Sequence, residues 1–348
     1  MRTATGLVYR DGAFVEGSAQ STAGKVKLGN SPDESAEITG WIIPKTVNCH
    51  THLGDGFISK PEKCSIEELV APPNGLKHRL LRTVDEQRQV SCMREMISLM
   101  ARTGTSHFID FRESGLEGTR RLLMASLGCE IVPVILGRPE TCDTNEISSI
   151  LSVADGIGMS SISDVEYDCL AKISEHALAT EKAFAMHASE VKREDMEMIL
   201  ALNPNMLVHM IRAEGRDMGL CASSGTPVAI CPSSNSYFGI KPPLRNMLDA
   251  GITVCLGSDN AMLAEPNMLN EMRVFRNMFP ESILSDEEIL ELAFNNGRKV
   301  LNSLPGLGDA NMSQPDFFVL EAPVDGTFMS VLKHGAGKVH MFETGGIQ

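Results

Sequence analysis

The 348-residue chain carries a net charge of −14 with 22% charged and 5% aromatic residues. That balance argues against a nucleic-acid partner and against an anionic membrane surface, both of which need clustered Lys and Arg, and favours a neutral or cationic small-molecule substrate. No apolar run reaches the ~18 residues that span a bilayer, and the start MRTATGLVYRDGAF lacks the basic-then-apolar pattern of a signal peptide, so the cytoplasm is the expected location.

In chain order, GLVYRDGAFVEGS (6–18) and GKVKLGN (24–30) read as short antiparallel strands punctuated by glycine, and SPDESAE (31–37) as a solvated loop. Apolar segments then recur at 41–49, 105–111, 130–136, 154–160, 183–188, 206–210, 227–231 and 252–257, eight in all. Helical periodicity fills the gaps: 84–103 stops at Gly104, and 163–180 opens on Ser163 and Asp164, either suited to an N-cap. Alternating strand and helix predict a parallel sheet with crossover helices, and eight such units predict the α/β class and a (β/α)₈ TIM barrel. DFFVL (316–320) and GKVHMF (337–342) return to short strands. A small β-sandwich domain is therefore expected from both termini, 1–45 with 304–348, beside a barrel of 46–303.

The nine cysteines are odd in number and scattered over 49–255 with no Cys-x-x-Cys, which predicts reduced core residues rather than a disulfide framework or zinc ribbon. Cys49 reads as a packing residue that alternates away from its histidine neighbours. The twenty methionines read as adaptable core filling.

His50 and His52, closing the first barrel segment in NCHTH, are by themselves either metal ligands or strand-end hydrogen-bonding residues. Barrel function sits at the C-terminal ends of the strands. There His187 closes AFAMHA, His209 closes MLVHM and Asp259 follows ITVCLG, so five candidates fall at four strand ends facing one mouth. Imidazole and carboxylate donors suit divalent zinc or iron, and bound metal makes hydroxide available at neutral pH, which points to a hydrolase. Glu190, three residues after His187, is placed to carry a proton to the substrate, and His209 to orient the substrate instead of binding metal. His107, His176, His334 and His340 read as structural hydrogen-bonding residues.

These motifs resemble the amidohydrolase superfamily, in the branch holding cytosine, guanine and adenosine-type deaminases and triazine chlorohydrolases. VNCHTH (47–52) matches its strand-one signature, HASE (187–190) its His-x-x-Glu, VHM (208–210) its strand-six histidine and LGSDN (256–260) its strand-eight aspartate. CPSSNSYFG (231–239) is similar to its Ser-Asn motif, and GLGDANMSQPDFFVL (306–320) to its return into the β-sandwich. The resemblance implies that His50, His52, His187 and Asp259 hold one divalent metal, zinc before iron. It further implies that Glu190 is the proton shuttle, that His209 fixes substrate and water, and that Asp259 also accepts a proton from the attacking water. Binuclear members bridge their metals with a carboxylated lysine after strand four; here the lysines between 133 and 187 are Lys172, in a helix, and Lys182, at the start of strand five. One metal is therefore expected. Departures from the pattern are Lys45 in place of glycine, Phe238 in place of leucine and a short terminal domain.

Asp55, Phe57 and His78, in the loop after strand one, with Ser234, Asn235 and Asn260, are the candidate substrate contacts. The implied reaction is hydrolytic deamination of an amino-substituted nitrogen heterocycle, such as a nucleobase, nucleoside or pterin-like ring. Metal hydroxide attacks the carbon bearing the amine, Glu190 protonates the adjacent ring nitrogen, and ammonia leaves. The same mononuclear site would also serve a formimino, guanidino, chloro or amide group, and a non-catalytic scaffold is the remaining alternative. A homo-oligomer is compatible with the sequence.

Overall fold

The computed structural model describes residues 2–22, 25–307, 316–334 and 337–342. Four strands open the chain: β1 (Arg2–Arg10), β2 (Ala13–Thr22), β3 (Lys25–Gly29) and β4 (Ile38–Pro44). Nine follow: β5 (Thr46–His52), β6 (Thr105–Arg112), β7 (Val132–Gly137), β8 (Gly156–Met159), β9 (Ala183–Ala188), β10 (Met206–His209), β11 (Val228–Ile230), β12 (Val254–Leu256) and β13 (Asp259–Asn260). The tail supplies β14 (Phe317–Glu321) and β15 (Lys338–Phe342). Of the expected return segment 306–320, residues 308–315 lie outside the described residues, as do 343–348 of the tail.

Two sheets result. One runs β15-β14-β4-β1-β2-β3 and joins both ends of the chain; the other runs β12-β11-β10-β9-β8-β7-β6-β5-β13 with parallel pairing, its helices between successive strands. Strand eight of the barrel is split: β12 pairs with β11, while β13 pairs with β5 and closes the ring. The architecture is the expected (β/α)₈ barrel with an added sheet from the termini. Seven of the eight expected strands are present with ends shifted by two residues at most.

The first is corrected. The apolar run 41–49 is two strands in different sheets, broken at Lys45, whose N–H donates to Asp316 O at 2.7 Å while that of Thr46 donates to Gly104 O at 2.8 Å. Both halves are buried, so hydropathy runs on across a point where the hydrogen-bond partners change. The helix expected from Ser163 or Asp164 starts at Tyr167. Ser163 donates instead to Glu194, and Asp164 accepts from Ser161, so both belong to a turn at the barrel mouth.

Inside the barrel, Ile109, Phe111, Leu136, Ala185, Val208, Ala229 and Cys255 form one cluster, and the other strand face packs Met186, Leu207, Ile230 and Leu256 against the helices. Among them the small Ala185, Ala229 and Cys255 make room for the larger Ile109, Phe111 and Leu136 in the narrow centre of an eight-stranded ring. Helix Glu86–Arg102 follows the same logic: Asp85 caps it, and Gln89, Met93, Ile97 and Met100 recur every three or four residues on its buried face. The cysteine expectation is corrected at one pair. Cys142 and Cys169 form a disulfide across a 27-residue separation, because the loop after β7 and the helix after β8 are neighbours around the ring. The other seven cysteines are free.

Helix Met268–Met278 buries Glu271 completely. One carboxylate oxygen accepts the Ser233 N–H at 2.8 Å, the other has no partner, and burial pushes the acid up to about 8. A folded value above the unfolded ~4.3 means that its stabilising contribution is complete below about pH 4 and is lost as pH rises through about 8. Glu271→Gln removes this dependence. In urea titrations the variant gains a few kcal/mol over wild type between pH 5 and pH 8.5; an unchanged difference at the two pH values would contradict a neutral buried Glu271.

Candidate active site

The site is assembled where the barrel strands end. Between Asn48, opposite Phe108, and Thr51, opposite Asp110, β5 advances three residues while β6 advances two. This bulge resets the side-chain alternation. Thr51 then faces outward, its hydroxyl donating to Asp110 Oδ2 at 2.9 Å, and His50 and His52 on either side of it face the interior. Cys49 is the expected packing residue, but the bulge puts it on the interior side as well, fully buried in the cluster with Phe111, the ring that packs 4.5 Å from His50. Ser189, His209, Met210 and Asp259 all have φ between 48° and 77°, a left-handed backbone at three strand ends that turns His209 and Asp259 into the mouth. Such strain in residues other than glycine is characteristic of functional sites. Gly257 is required for closure, since a Cβ there would lie 2.7 Å from His50 Cβ.

Five predicted residues converge. One ligand atom from each of His50, His52 and His187, and likewise from His50, His209 and Asp259, lies within 4.8 Å of the others in its trio. His52 Nδ1 donates to Phe111 O at 3.0 Å and His187 Nδ1 to Met159 O at 2.8 Å. Each neutral ring then presents an unprotonated Nε2, and these two nitrogens face each other at 3.4 Å. Two lone pairs in that position have no proton to share. Asp259 Oδ1 is 3.4 Å from His50 Nε2 and 3.7 Å from His52 Nε2, and both ring nitrogens of His50 and Nδ1 of His209 are buried without hydrogen bonds. A cation among them would bind one nitrogen of each ring together with the carboxylate, and imidazole with carboxylate is the donor set of a catalytic divalent site. His209 Nε2 also approaches Glu190 Oε1 at 3.5 Å, so this side chain stands between the donor cluster and the glutamate.

The electrostatics favour ligation. Burial lowers His50 to about 4 and His52 to about 3, and burial with the neighbouring rings holds His187 well below its ordinary value, so the imidazoles are neutral at pH 7. Burial pulls the Asp259 carboxyl upward, but the His50 contact and the surrounding histidines outweigh it and hold the group ionised. Burial raises Glu190, as suits a proton carrier.

A cavity of about 270 Å³ opens above the cluster, lined by His52, His187, Glu190, His209, Asp259 and Asn260 together with Lys77, Arg138, Ser160, Asp164 and the loop residues Ile66, Val70 and Pro72. Asn260 therefore lies where expected. The five other expected contacts do not line it. Asp55 is fully buried beside Lys77, at 3.8 Å, and accepts the Met262 N–H; Phe57 packs under Arg88 in a satellite cluster; Ser234 and Asn235 are buried in helix Pro232–Phe238. His78 turns to Val70 O at 3.0 Å, and its neighbour Lys77 faces the cavity instead. Lys172 and Lys182 donate to Cys142 O and Ala154 O, away from the cluster. His107, His176, His334 and His340 bond to Ser106, Ser148, Ser330 and Glu321.

Sequence reasoning missed Lys77, Arg112, Glu113 and Arg138. Glu113 Oε1 lies 2.7 Å from His52 Nδ1 and 2.6 Å from Lys77 Nζ, Lys77 donates to Asn260 Oδ1 at 2.8 Å, and Arg112 contacts Glu113 and, at 3.4 Å, Asp110. The available signal was FIDFRESG (108–115), an acid and a base at the end of the second apolar segment.

A (β/α)₈ barrel that gathers imidazoles and a carboxylate at the C-terminal ends of its strands is the architecture of a metal-dependent hydrolase. The chain belongs to the amidohydrolase family, whose sequence profile matches residues 41–308, and it is a hydrolase acting on carbon–nitrogen bonds. It is 31% identical over 289 residues to an uncharacterized protein of Methanocaldococcus jannaschii, covering 77% of this chain and 75% of that one. It is 25% identical over 283 residues to the 5-methylthioadenosine/S-adenosylhomocysteine deaminase of Haloarcula marismortui, covering 69% of this chain and 62% of that one. Among solved structures, 5-methylcytosine deaminase from Klebsiella pneumoniae shares the fold with a TM-score of 0.75 at 14% identity, covering 99% of this chain and 96% of that one.

The burial of the rings is directly testable. In metal-free protein with ¹⁵N-labelled histidine, His50 and His52 remain neutral as pH is lowered from 8 to 5, and take up protons only near about 4 and about 3. Titration of either ring near ~6.5 would contradict its burial.

Proposed function

We propose that the protein is a metal-dependent hydrolytic deaminase that releases ammonia from an amino-substituted nitrogen heterocycle, a nucleobase, nucleoside or pterin-like ring. The observation that carries the reading is the pair of unprotonated Nε2 atoms of His52 and His187 facing each other, with Asp259 alongside. His50, His52, His187 and Asp259 would hold one divalent ion, zinc in preference to iron for a donor set of imidazole and carboxylate. When bound, the ion supplies Lewis acidity that lowers the pKa of water from about 16 to about 7.

The rest of the chemistry falls to the chain. Asp259, ionised among the histidines, accepts a proton from the attacking water. His209, beside Glu190 at 3.5 Å, orients that water and the substrate. Glu190, raised by burial and lining the cavity, protonates the ring nitrogen next to the attacked carbon, the proton taken up by Asp259 passes to the departing amine, and the hydroxyl proton of the adduct returns to Glu190. The C–O bond forms first; collapse of the tetrahedral adduct then breaks the C–N bond, and ammonia carries the proton away. Relatives named as deaminases of 5-methylthioadenosine and of 5-methylcytosine support this reaction class. In the same reading the barrel comprises 46–303 and the composite domain 1–45 with 304–348, and the enzyme works on small molecules in the cytoplasm. No helix among the described residues is long and apolar enough to cross a membrane.

Metal analysis of the purified protein is expected to find close to one zinc per chain, and a panel of amino-bearing pyrimidines, purines and pterins to include a substrate that releases ammonia. Glu190→Gln should retain the metal and lose about 100- to 10,000-fold in kcat. A metal-loaded protein that frees no ammonia from the panel would overturn the substrate class.

A further inference from the structure

Behind His52, on the side away from the donor cluster, lies a chain of buried charges that neither the ligand set nor the proton path uses. Glu113 follows β6 directly, and Lys77 sits on the short helix Leu76–Leu81 that follows the cavity's loop wall. Their side chains are each 3% exposed. Removing such ions from water is costly, and mutual attraction rarely returns more than that cost, so stability alone is a poor reason for the cluster. Its position supplies a better one. The two facing histidines differ: His187 Nδ1 meets one carbonyl, that of Met159, whereas His52 Nδ1 meets the Phe111 carbonyl at 3.0 Å and the Glu113 carboxylate at 2.7 Å. A carbonyl suffices to set the tautomer. What Glu113 adds is a carboxylate beside the ring, held between Lys77 and Arg112, which fixes the ring's orientation and strengthens Nε2 as a donor against the opposing pull of Lys77.

We propose that Glu113 is a positioning residue for the metal centre, polarising and orienting His52 from behind. Lys77 holds the carboxylate against the ring at 2.6 Å and ties it to Asn260, at 2.8 Å, the neighbour of Asp259. One outer chain, Asn260–Lys77–Glu113–His52, thereby connects the ligand of strand eight to one of strand one. This rests on the metal-site reading of His52.

Zinc affinity, measured by competition with a chromophoric chelator, tests the inference without reference to activity. Wild type, Glu113→Gln, the double variant Lys77→Met/Glu113→Gln and His187→Ala are compared, with circular dichroism and thermal melting to follow the fold. Glu113→Gln is expected to bind zinc about 10- to 100-fold more weakly than wild type. It also leaves Lys77 with Asp55, at 3.8 Å, as its remaining carboxylate and so melts lower. The double variant removes both charges, so it should regain thermal stability while its zinc affinity stays low; it carries the test alone if the single variant does not fold. Affinity that recovers with stability, or that never falls in Glu113→Gln, would reduce Glu113 to a structural ion-pair partner and leave the metal site standing. Zinc binding absent from wild type, or undiminished in His187→Ala, would remove the metal-site reading and this inference with it.

Discussion

The closure of strand eight onto strand one is the contact on which the site depends. β12 runs beside β11 and stops; the chain kinks through Gly257 and Ser258, and β13 pairs with β5, Asp259 opposite Thr51 and Asn260 opposite His52. Ser258 N–H reaches His50 O at 3.0 Å, and the Asn48 side chain brackets the same serine, its amide donating to the hydroxyl at 2.8 Å while its oxygen accepts the backbone N–H at 3.0 Å. Asn48 and His50 of strand one are thus locked to Ser258, the residue immediately before Asp259. The two ends of the barrel sequence, more than 200 residues apart, meet within hydrogen-bonding distance, and the first and last members of the donor cluster are placed by a single latch.

Around that latch the charges are layered. The innermost groups are neutral imidazoles with one carboxylate, lifted out of water by Phe111 beneath and the strand ends beside them. Formal charges are kept one step further out, as Arg112 with Asp110 and Glu113, and Lys77 with Glu113 and Asp55. Burial pushes Asp55 up to about 7 even with Lys77 opposing it. The packing of this layer is tight enough to dictate backbone: a Cβ on Gly54 would fall 2.1 Å from the Arg112 guanidinium. Lys77 and Arg112, buried in a strongly acidic protein, thus stand behind the metal-facing side chains, where each answers a carboxylate.

Much of this was readable in the sequence, for identifiable reasons. Barrel strands are buried on both faces, so AFAMHA and MLVHM stand out as short apolar runs, and a polar residue that ends such a run must sit at the mouth. The same property misled at 41–49, where two buried strands of different sheets share one uninterrupted run. At 163–180 an N-cap signature was present, yet Ser163 and Asp164 were taken by a turn bonded to Glu194 and Ser161, and local propensity yielded to tertiary partners. In the loop after β5, His78 was the expected pocket residue and Lys77 was not; the one-residue difference in a helical turn sends the lysine inward to Glu113 and the histidine to Val70. The Cys142–Cys169 bond had no local signature, since adjacency around a ring is invisible along the chain.

The sequence by itself determined the (β/α)₈ class, the alternation that places His50, His52, His187, His209 and Asp259 at strand ends, and the donor chemistry those residue types allow. These follow from periodicity and side-chain chemistry, which are local properties. Only the tertiary structure decided that the two Nε2 atoms face each other at 3.4 Å, that β5 bulges to turn its histidines inward, and that Glu113 and Lys77 stand behind His52. Those outcomes depend on register, on sheet closure and on which buried charge finds which partner, interactions between residues tens to hundreds of positions apart that no window along the chain contains.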